Sequence, residues 1–175
     1  MRKCSKGRTA QSQSRDLRRC LGLFATGVTI VTYDGEAAPR GVTVNAFTSV
    51  SLEPPLVLVA LDRGSRSCTL LADRPFAVNV LSACQHDLAL CFSGRLNREI
   101  PIPWGPGDIA PVLAGSLATI ECLPWRQYDG GDHVLFLGRV ERFRAGHGEP
   151  LVFFAGQWAS VAPTEEEVRH WPVAR

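Results

Sequence analysis

Two stretches of the chain carry polar side chains of the kinds that hold ligands. In the first, Val42–Ser51, Asn45 and Thr48 have hydrogen-bonding groups that could bind the edge of a planar heterocycle. The second, Gly64–Ser67, lies where a strand gives way to a helix, so its hydroxyls and free backbone N–H groups could bind an anion beside Arg66. Strand propensity and ordinary helix capping also explain these residues, so both interpretations stay open.

His133 is the histidine best placed for chemistry. It follows a Gly-Gly-Asp turn at the start of a predicted strand, where a side chain can point into a cleft, although a lone histidine is often structural or solvated. His86 lies between Cys84 and Cys91, but the spacings fit no common zinc pattern, so we expect no metal site. The sequence also lacks GxSxG, GxGxxG and the phosphate-binding GxxxxGK loop, which argues against serine hydrolases, dinucleotide folds and nucleotide hydrolysis.

The composition favours one globular domain. With 175 residues, 45% of them apolar, the chain can bury a core without metals or disulfides. A net charge of +2 with scattered basic residues argues against a nucleic-acid partner. The longest apolar run, Leu56–Leu61, is too short to span a membrane, so we expect no membrane partner. The six cysteines form no CxxC pair and no export signal is visible, which predicts free thiols in a cytoplasmic protein.

Helical periodicity occurs in a few short segments. An apolar stripe from Leu17 to Phe24 follows the possible cap Ser14, and it is expected to cover one side of the core before the helix ends near Gly27. Further helices are predicted over Ser67–Ala72, over Ala83–Phe92 with Ser82 as its cap, and after Thr164. We therefore divide the chain into a disordered basic tail (1–13), one domain (14–163) and a C-terminal helix or tail (164–175).

Strand-like patterns fill most of the remaining sequence. The predicted strands are Val28–Tyr33, Gly41–Val50, Leu56–Leu61, Phe76–Leu81, Ser116–Gln127, His133–Arg144 and Leu151–Ala159. Ile100–Val112 holds four prolines and two glycines, so it is expected to be a loop outside the core. Six or seven mainly antiparallel strands with few helices predict a small β-barrel with peripheral helices, because closing such a sheet removes its exposed edges.

Several motifs in this order resemble the flavin reductase-like, split-barrel family. The motifs are Phe24–Thr32 (FATGVTIVT), Gly41–Ser51 (GVTVNAFTSVS), Pro54–Leu56, Ser65–Ser67, Phe76–Leu81, Gly131–His133, Gly138–Val140 and Pro150–Phe154. The resemblance covers the chain from about Leu17 to Val161. It implies a mainly β fold, a six- to seven-stranded antiparallel split β-barrel of Greek-key type with peripheral α-helices.

The resemblance also implies an activity and its partners. Members of this family are NAD(P)H:flavin oxidoreductases that take FAD or FMN and a reduced nicotinamide, here NADH with NADPH as the second possibility, as substrates. They are usually homodimers that pass reduced flavin to a flavin-dependent oxygenase component. Such pairs act in bacterial aromatic or natural-product metabolism, including antibiotic biosynthesis.

Roles for individual residues follow from the same motifs. By resemblance, the flavin contacts are Thr43, Val44, Asn45, Ala46, Phe47, Thr48 and Ser49, completed by Asp62, Ser65, Arg66, Ser67 and Phe92, with Ser65 and Ser67 at the phosphate. His133, in the Gly-Asp-His motif, would face the nicotinamide as the residue with a catalytic role. Phe154 and Trp158 would be further nicotinamide contacts, at positions where relatives often carry tyrosines.

Three other interpretations stay open beside the reductase. Related split barrels hold FMN for other reactions, so one alternative is an oxidase of the pyridoxamine-phosphate-oxidase-like type. A second is a non-enzymatic flavin- or haem-binding sensor or storage module, whose chromophore NADH would not reduce. The third is a structural barrel whose polar strand residues only face solvent, with no affinity for flavin.

Overall fold

The computed structural model describes residues 10–161 of the chain. Its helices are α1 (Ala10–Leu21), α2 (Arg66–Leu71) and α3 (His86–Phe92), with a 3₁₀ turn over Ala83–Gln85 directly before α3. The helices predicted over 67–72 and 83–92 are confirmed, and the Ser82 N–H donates to Gln85 Oε1 at 3.1 Å at the expected cap. The helix predicted after Thr164 lies outside the described residues. Within 10–161, every helix is too short or too polar to cross a membrane.

Twelve strands account for most of the regular structure. They are β1 (Thr26–Gly27), β2 (Thr29–Asp34), β3 (Pro39–Val44), β4 (Phe47–Leu52), β5 (Pro55–Asp62), β6 (Phe76–Val80), β7 (Trp104–Gly105), β8 (Val112–Leu113), β9 (Ala118–Gly130), β10 (His133–Ala145), β11 (Val152–Phe154) and β12 (Gln157–Ala159). The long strands agree with the predicted ones. The short strands β1, β7, β8, β11 and β12 form two small accessory sheets.

Seven strands form one antiparallel sheet in the order β3-β2-β6-β9-β10-β5-β4. The two edge strands are neighbours in sequence, separated by Asn45 and Ala46. Because so short a connection spans about 10 Å at most, the sheet must curl until its edges approach at this corner. Among residues 10–161 no hydrogen-bonded ladder joins β3 to β4, so the barrel is open along this line. The predicted mainly β, antiparallel class is confirmed.

The single strand predicted over Gly41–Val50 is wrong, because the chain crosses between the sheet edges in its middle. Val44 at the end of β3 is buried, and Phe47 at the start of β4 packs against the same core cluster. Apolar residues on both sides of the crossing therefore preserve the appearance of one alternating strand. The Ala60 N–H donates to the Ala46 carbonyl at 3.0 Å and holds the crossing against β5.

The single strand predicted over Leu151–Ala159 is also wrong. The chain folds back between β11 and β12 at Ala155 and Gly156, whose φ angles are 50° and 81°. Two successive positive φ values are typical of a tight hairpin turn, for which Asn-Gly is the strong sequence signal. Alanine at the first position gives no such signal, so the sequence indicates one continuous strand.

The excursion Ile100–Val112 is not wholly outside the core, contrary to prediction. Ala110, Val112 and Leu113 are buried, and β7 pairs with β8. Two buried polar side chains hold the excursion against the barrel. Glu121 on β9 accepts three backbone N–H groups, from residues 108, 109 and 110, and Asn79 on β6 accepts the Leu113 N–H at 2.8 Å.

The predicted apolar stripe of α1 does not cover the core of its own chain, so this prediction is wrong. Leu17, Leu21 and Phe24 are 59%, 65% and 76% exposed. The barrel core is filled instead by residues of the sheet, α2 and α3, in clusters that include Tyr33 and Leu81. Within the described residues, α1 already includes Ala10, four residues before Ser14, and it ends at Leu21 rather than near Gly27.

Candidate active site

A pocket of about 170 Å³ lies at the corner where the two edges of the sheet approach. It is lined by Val28, Thr43, Asn45, Ser93, Arg95, Phe153 and Trp158. The lining combines apolar and aromatic side chains with an amide, two hydroxyls and a guanidinium group. A flat ring system with apolar faces and a polar edge matches this combination.

Asn45 and Arg95 supply the pocket with unused hydrogen-bonding groups. Neither side chain forms a hydrogen bond or an ion pair with any residue in 10–161, and both are exposed at the pocket. Asn45 lies in the crossing between β3 and β4, and Arg95 follows the end of α3. Both side chains are therefore available to a ligand.

Thr43 and Trp158 are held in place by neighbouring elements. The Thr43 hydroxyl donates to the Ala89 carbonyl of α3 at 2.8 Å, so its hydrogen is already used. Trp158 packs edge-to-face on His86 and on Phe153, with ring centroids 4.9 and 5.2 Å apart. These contacts give the pocket an ordered hydroxyl oxygen and an ordered indole surface.

The rest of the predicted flavin strand is divided between core and surface. Val44 is buried and Phe47 packs against the core, so neither side chain lines the pocket. Thr48 and Ser49 are exposed on β4, where the Thr48 hydroxyl donates to the Ser49 carbonyl at 3.2 Å. Ala46 is exposed at the crossing. Of this predicted group, the structure brings Thr43 and Asn45 together in the pocket.

The serines predicted to bind phosphate both make internal hydrogen bonds. Ser65 caps α2, because its hydroxyl accepts the Cys68 N–H at 3.1 Å. Ser67 is buried and accepts a hydrogen bond from the Tyr33 hydroxyl at 2.8 Å. Arg66 is exposed beside them. The capping interpretation of Ser65 is confirmed, and a phosphate contact stays a prediction.

His133 is the first residue of β10, directly opposite Asp62 at the end of β5. Its Nδ1 lies 2.7 Å from Oδ1 of Asp132, and the side chain is 40% exposed. The hydrogen bond with His133 is the main cause that lowers the pKa of Asp132 below its ordinary value, so this carboxylate is ionised at neutral pH. The ring is therefore oriented through Nδ1, which leaves Nε2 for another partner. Asp62 Oδ1 accepts the Gly64 N–H at 2.7 Å.

Phe92 and Phe154 have contrasting surroundings. Phe92 packs on Gly41, where an added Cβ would lie 2.9 Å from the ring, and it meets Trp104 edge-to-face at 6.1 Å. Phe154 is 42% exposed at the end of β11. His133, Phe154, Asp62 and the α2 serines do not line the pocket that holds Asn45. Their ligand contacts remain predictions.

Sequence reasoning missed Val28, Ser93, Arg95 and Phe153 as lining residues. A signal for Arg95 was present in Ser93-Gly94-Arg95, because a glycine after an amphipathic helix often ends it. Gly94 has a φ of 70°, and the Arg95 N–H donates to the Leu90 carbonyl at 2.9 Å. This helix end turns Arg95 back to the pocket beside Asn45.

None of the five cysteines among residues 10–161 lines the pocket. The five among residues 10–161 are free, which confirms the predicted free thiols for these positions, and Cys4 lies outside the described part. Burial, with the nearby carboxylates of Glu121 and Glu141, raises the pKa of the Cys122 thiol to about 12. Cys122 is therefore protonated at neutral pH and is a poor nucleophile.

Similarities to known proteins agree with this architecture. The sequence model of one protein family, described as the flavin reductase like domain, matches residues 21–162. The reductase subunit HsaB of a flavin-dependent monooxygenase from Mycobacterium tuberculosis is 36% identical over 169 residues, which cover 93% of this chain and 90% of that protein. An NADH-dependent FAD reductase from Streptomyces globisporus is 41% identical over 164 residues, covering 87% of this chain and 88% of that one.

A solved structure extends the similarity to the fold. The NADH:FAD oxidoreductase SgcE6 of Streptomyces globisporus, in complex with NAD and FAD fragments, superposes with a TM-score of 0.81 at 38% identity. The match covers 93% of this chain and all of that one. The family model, the relatives and the shared barrel together establish that this chain belongs to the flavin reductase-like family.

Proposed function

We propose that this protein is an NADH-dependent flavin reductase that supplies reduced FAD or FMN to a partner monooxygenase. The observation that carries the proposal is the pocket whose lining combines the unpaired Asn45 and Arg95 side chains with Trp158. The named activities of relatives that are NADH-dependent flavin reductases support the same reaction with NADH. NADPH is the second possible donor. For this reaction we expect the protein in the cytoplasm, where NADH is available.

The residues present fit a flavin. The isoalloxazine ring has two apolar faces and a polar edge, and the pocket lining offers aromatic side chains together with amide, hydroxyl and guanidinium groups. We assign Thr43 and Asn45 to the polar edge of the ring. The other flavin contacts stay predictions: the side chains of Ala46, Thr48, Ser49, Asp62, Ser65, Arg66, Ser67 and Phe92, and the backbone of Val44 and Phe47, whose side chains pack in the core.

The hydride chemistry is supplied by the flavin and the nicotinamide when they are bound. The role of the protein would be to hold the two rings in stacked contact and to exclude water. Backbone N–H groups of the segment from Asn45 to Thr48 would stabilise negative charge at the polar edge of the flavin. His133 would position the nicotinamide, with Phe154 and Trp158 as its aromatic neighbours.

Release of reduced flavin fits the small pocket. At about 170 Å³, the pocket of one chain is below the roughly 300–1,000 Å³ of sites that enclose a whole ligand. We propose that flavin is held moderately and behaves as a substrate. An oxygenase component could then receive it after each turnover.

The activity is tested by NADH and NADPH oxidation with the purified protein, without flavin and with FMN or FAD added. We expect turnover that depends on added flavin and that is faster with NADH. Flavin that stays bound and is not reduced by NADH would support the sensor or oxidase interpretations instead. An absence of flavin binding in equilibrium titration would support the structural barrel or a haem-binding module.

Replacing Asn45 with alanine should raise the KM for flavin about fivefold, with a smaller effect on the KM for NADH. The variant loses about one hydrogen bond to the flavin edge, which is worth roughly 1 kcal/mol. Steady-state kinetics with FMN and FAD measure the change. Asn97→Ala, at an exposed position outside the pocket lining, is the matched control and should behave as wild type. An unchanged flavin KM in Asn45→Ala would contradict the assignment.

A second copy of the chain would cover the exposed stripe of α1 in a homodimer. Leu17 and Leu21 on α1 and Phe24 just after it are mostly exposed, and an exposed apolar group of this kind is typical of an association surface. A Leu21→Glu variant should shift the protein toward monomer in light scattering coupled to size exclusion. Phe143→Glu, at an equally exposed phenylalanine on β10, is the control and should leave the mass unchanged. Wild-type protein of monomeric mass would contradict the proposal.

A further inference from the structure

A second, larger cavity lies between α1 and the turn that joins β11 to β12. It has a volume of about 450 Å³ and is lined by Arg15, Arg18, Arg19, Gly22, Leu23 and the turn residues Ala155 and Gly156. The volume is within the roughly 300–1,000 Å³ of small-molecule sites. Neither the sequence motifs nor the flavin pocket account for it.

Three arginines point their charge at this cavity from one face of α1. Residues 15, 18, 19 and 22 are spaced by three and four, so they lie on the same side of the helix. Within 10–161, none of the three arginines forms an ion pair or a side-chain hydrogen bond. Three neighbouring guanidinium groups repel one another, so an anion between them would stabilise the helix face. Arginine is the side chain best suited to phosphate oxygens, which it can bind in bidentate fashion.

The opposite side of the cavity is fixed to α1. The Ala155 N–H donates to the Gly22 carbonyl at 2.7 Å, which ties the turn to the end of the helix. The turn is in the tight conformation described above, and Leu23 adds an apolar surface beside it. A lining that combines charged side chains, a backbone turn and an apolar side chain suits a ligand that combines phosphate with a flat base.

The cavity is close to the residues proposed for the nicotinamide. Gly156 lies two residues before Trp158, which is about 7 Å along a strand, and Phe154 directly precedes the turn. The hydrogen bond with His133 is the main cause that lowers the pKa of Asp132, and the charge of Arg18 lowers it further. The arginine face is therefore within electrostatic reach of the turn that carries His133.

We infer that Arg15, Arg18 and Arg19 bind the pyrophosphate and adenosine half of the nicotinamide dinucleotide. This inference rests on the proposed use of NADH. In the dinucleotide, one ribose separates the nicotinamide from the pyrophosphate. This short separation matches the two-residue spacing between Trp158 and Gly156 of the turn. The α1 helix is then part of the substrate site, in addition to carrying the apolar stripe on its other face.

The test is a variant in which Arg15, Arg18 and Arg19 are all changed to glutamine, compared with Arg142→Gln. Arg142 is exposed on β10, outside both cavities. We expect the KM for NADH to rise about tenfold or more in the triple variant, since charge-assisted contacts to phosphate are lost. The kcat, the KM for FMN and the KM for an N-alkyl dihydronicotinamide without phosphate should not change. Arg142→Gln should match wild type.

Calorimetric titration with ADP gives a readout that does not depend on turnover. Wild type and Arg142→Gln should bind ADP in competition with NADH, and the triple variant should bind it about tenfold more weakly. Equal ADP affinity, or an unchanged KM for NADH, would overturn the inference. A rise confined to the KM for FAD would also overturn it, because the arginines would then bind the flavin dinucleotide. If wild type does not reduce flavin, the proposed function fails, whereas ADP titration still tests the arginine site.

Discussion

A His133→Ala variant is expected to lower kcat/KM for NADH by about tenfold to hundredfold, the range that misplacing a substrate by about 1 Å can produce. His133 begins β10, and its Nδ1 is held 2.7 Å from the Asp132 carboxylate. The Arg63 N–H donates to the Asp132 carbonyl at 2.9 Å, which fixes the same turn to the end of β5. The imidazole thus presents a defined edge, and alanine would remove it without disturbing the buried core.

The pH behaviour of this pair follows from Asp132. Its pKa is lowered chiefly by the hydrogen bond with His133, so the carboxylate stays ionised as the pH falls below the ordinary pKa of an aspartate. The orienting bond is present above that range and is lost only when the pH falls through the lowered pKa. Any decline in activity between neutral and mildly acidic pH must therefore have another origin than protonation of Asp132.

Steady-state kinetics with varied NADH at saturating flavin measure the effect of the His133 change. His147→Ala, in the exposed Gly146–Gly148 turn, is the matched control and should retain wild-type values. His133→Asn keeps a short donor beside Asp132 and should recover part of the loss. If His133→Ala and His147→Ala both equal wild type, His133 does not contact the nicotinamide.

Replacing Glu121 with alanine should destabilise the fold by about 3 kcal/mol. Its Oε2 accepts the backbone N–H groups of Asp108, Ile109 and Ala110 at 2.8, 2.6 and 3.2 Å, and the side chain is buried. Removing the carboxylate leaves these donors without a partner, and each unsatisfied buried donor costs roughly 1–3 kcal/mol. The substitution is expected to release the segment between β7 and β8, which carries the three N–H groups, from the barrel.

Chemical denaturation of the variants measures this change in the free energy of unfolding. Glu121→Gln keeps an acceptor oxygen but loses the charge, so it should destabilise by less than the alanine variant. Glu141→Ala is the control, because that carboxylate forms a partly exposed ion pair with Arg139 and should contribute at most about 1 kcal/mol. Equal stabilities of wild type, Glu121→Ala and Glu141→Ala would show that the three N–H groups find other partners.

Local patterns in the sequence were enough to predict the long strands and the two short helices. Val28–Tyr33 alternates clearly, and Ser82 precedes its helix as an N-cap should. The crossing at Asn45–Ala46 was not predictable, since both flanking segments are β-branched and only the order of strands in the sheet separates them. The buried role of Glu121 likewise depends on a loop that approaches it from eleven or more residues away along the chain.

The candidate site shows the same division between local and long-range information. Asn45 was identified from its place among polar residues, whereas Arg95 needed the end of α3 to bring it to the same pocket. The stripe of α1 was recognised as apolar, but periodicity does not tell whether the covering surface is the chain's own core or another molecule. The arginines on its other face match no sequence motif. The cavity that they line also needs Ala155 and Gly156, which are distant along the chain.

The most direct test of the proposed reductase is anaerobic mixing of NADH with a catalytic amount of protein and an excess of FMN or FAD. The loss of the visible absorbance of oxidised flavin is followed with time. We predict that many equivalents of flavin are reduced per protein chain, at a rate proportional to protein concentration and far above that of NADH and flavin alone. Reduction of no flavin, or of a single tightly held equivalent, would contradict a protein that reduces flavin and releases it.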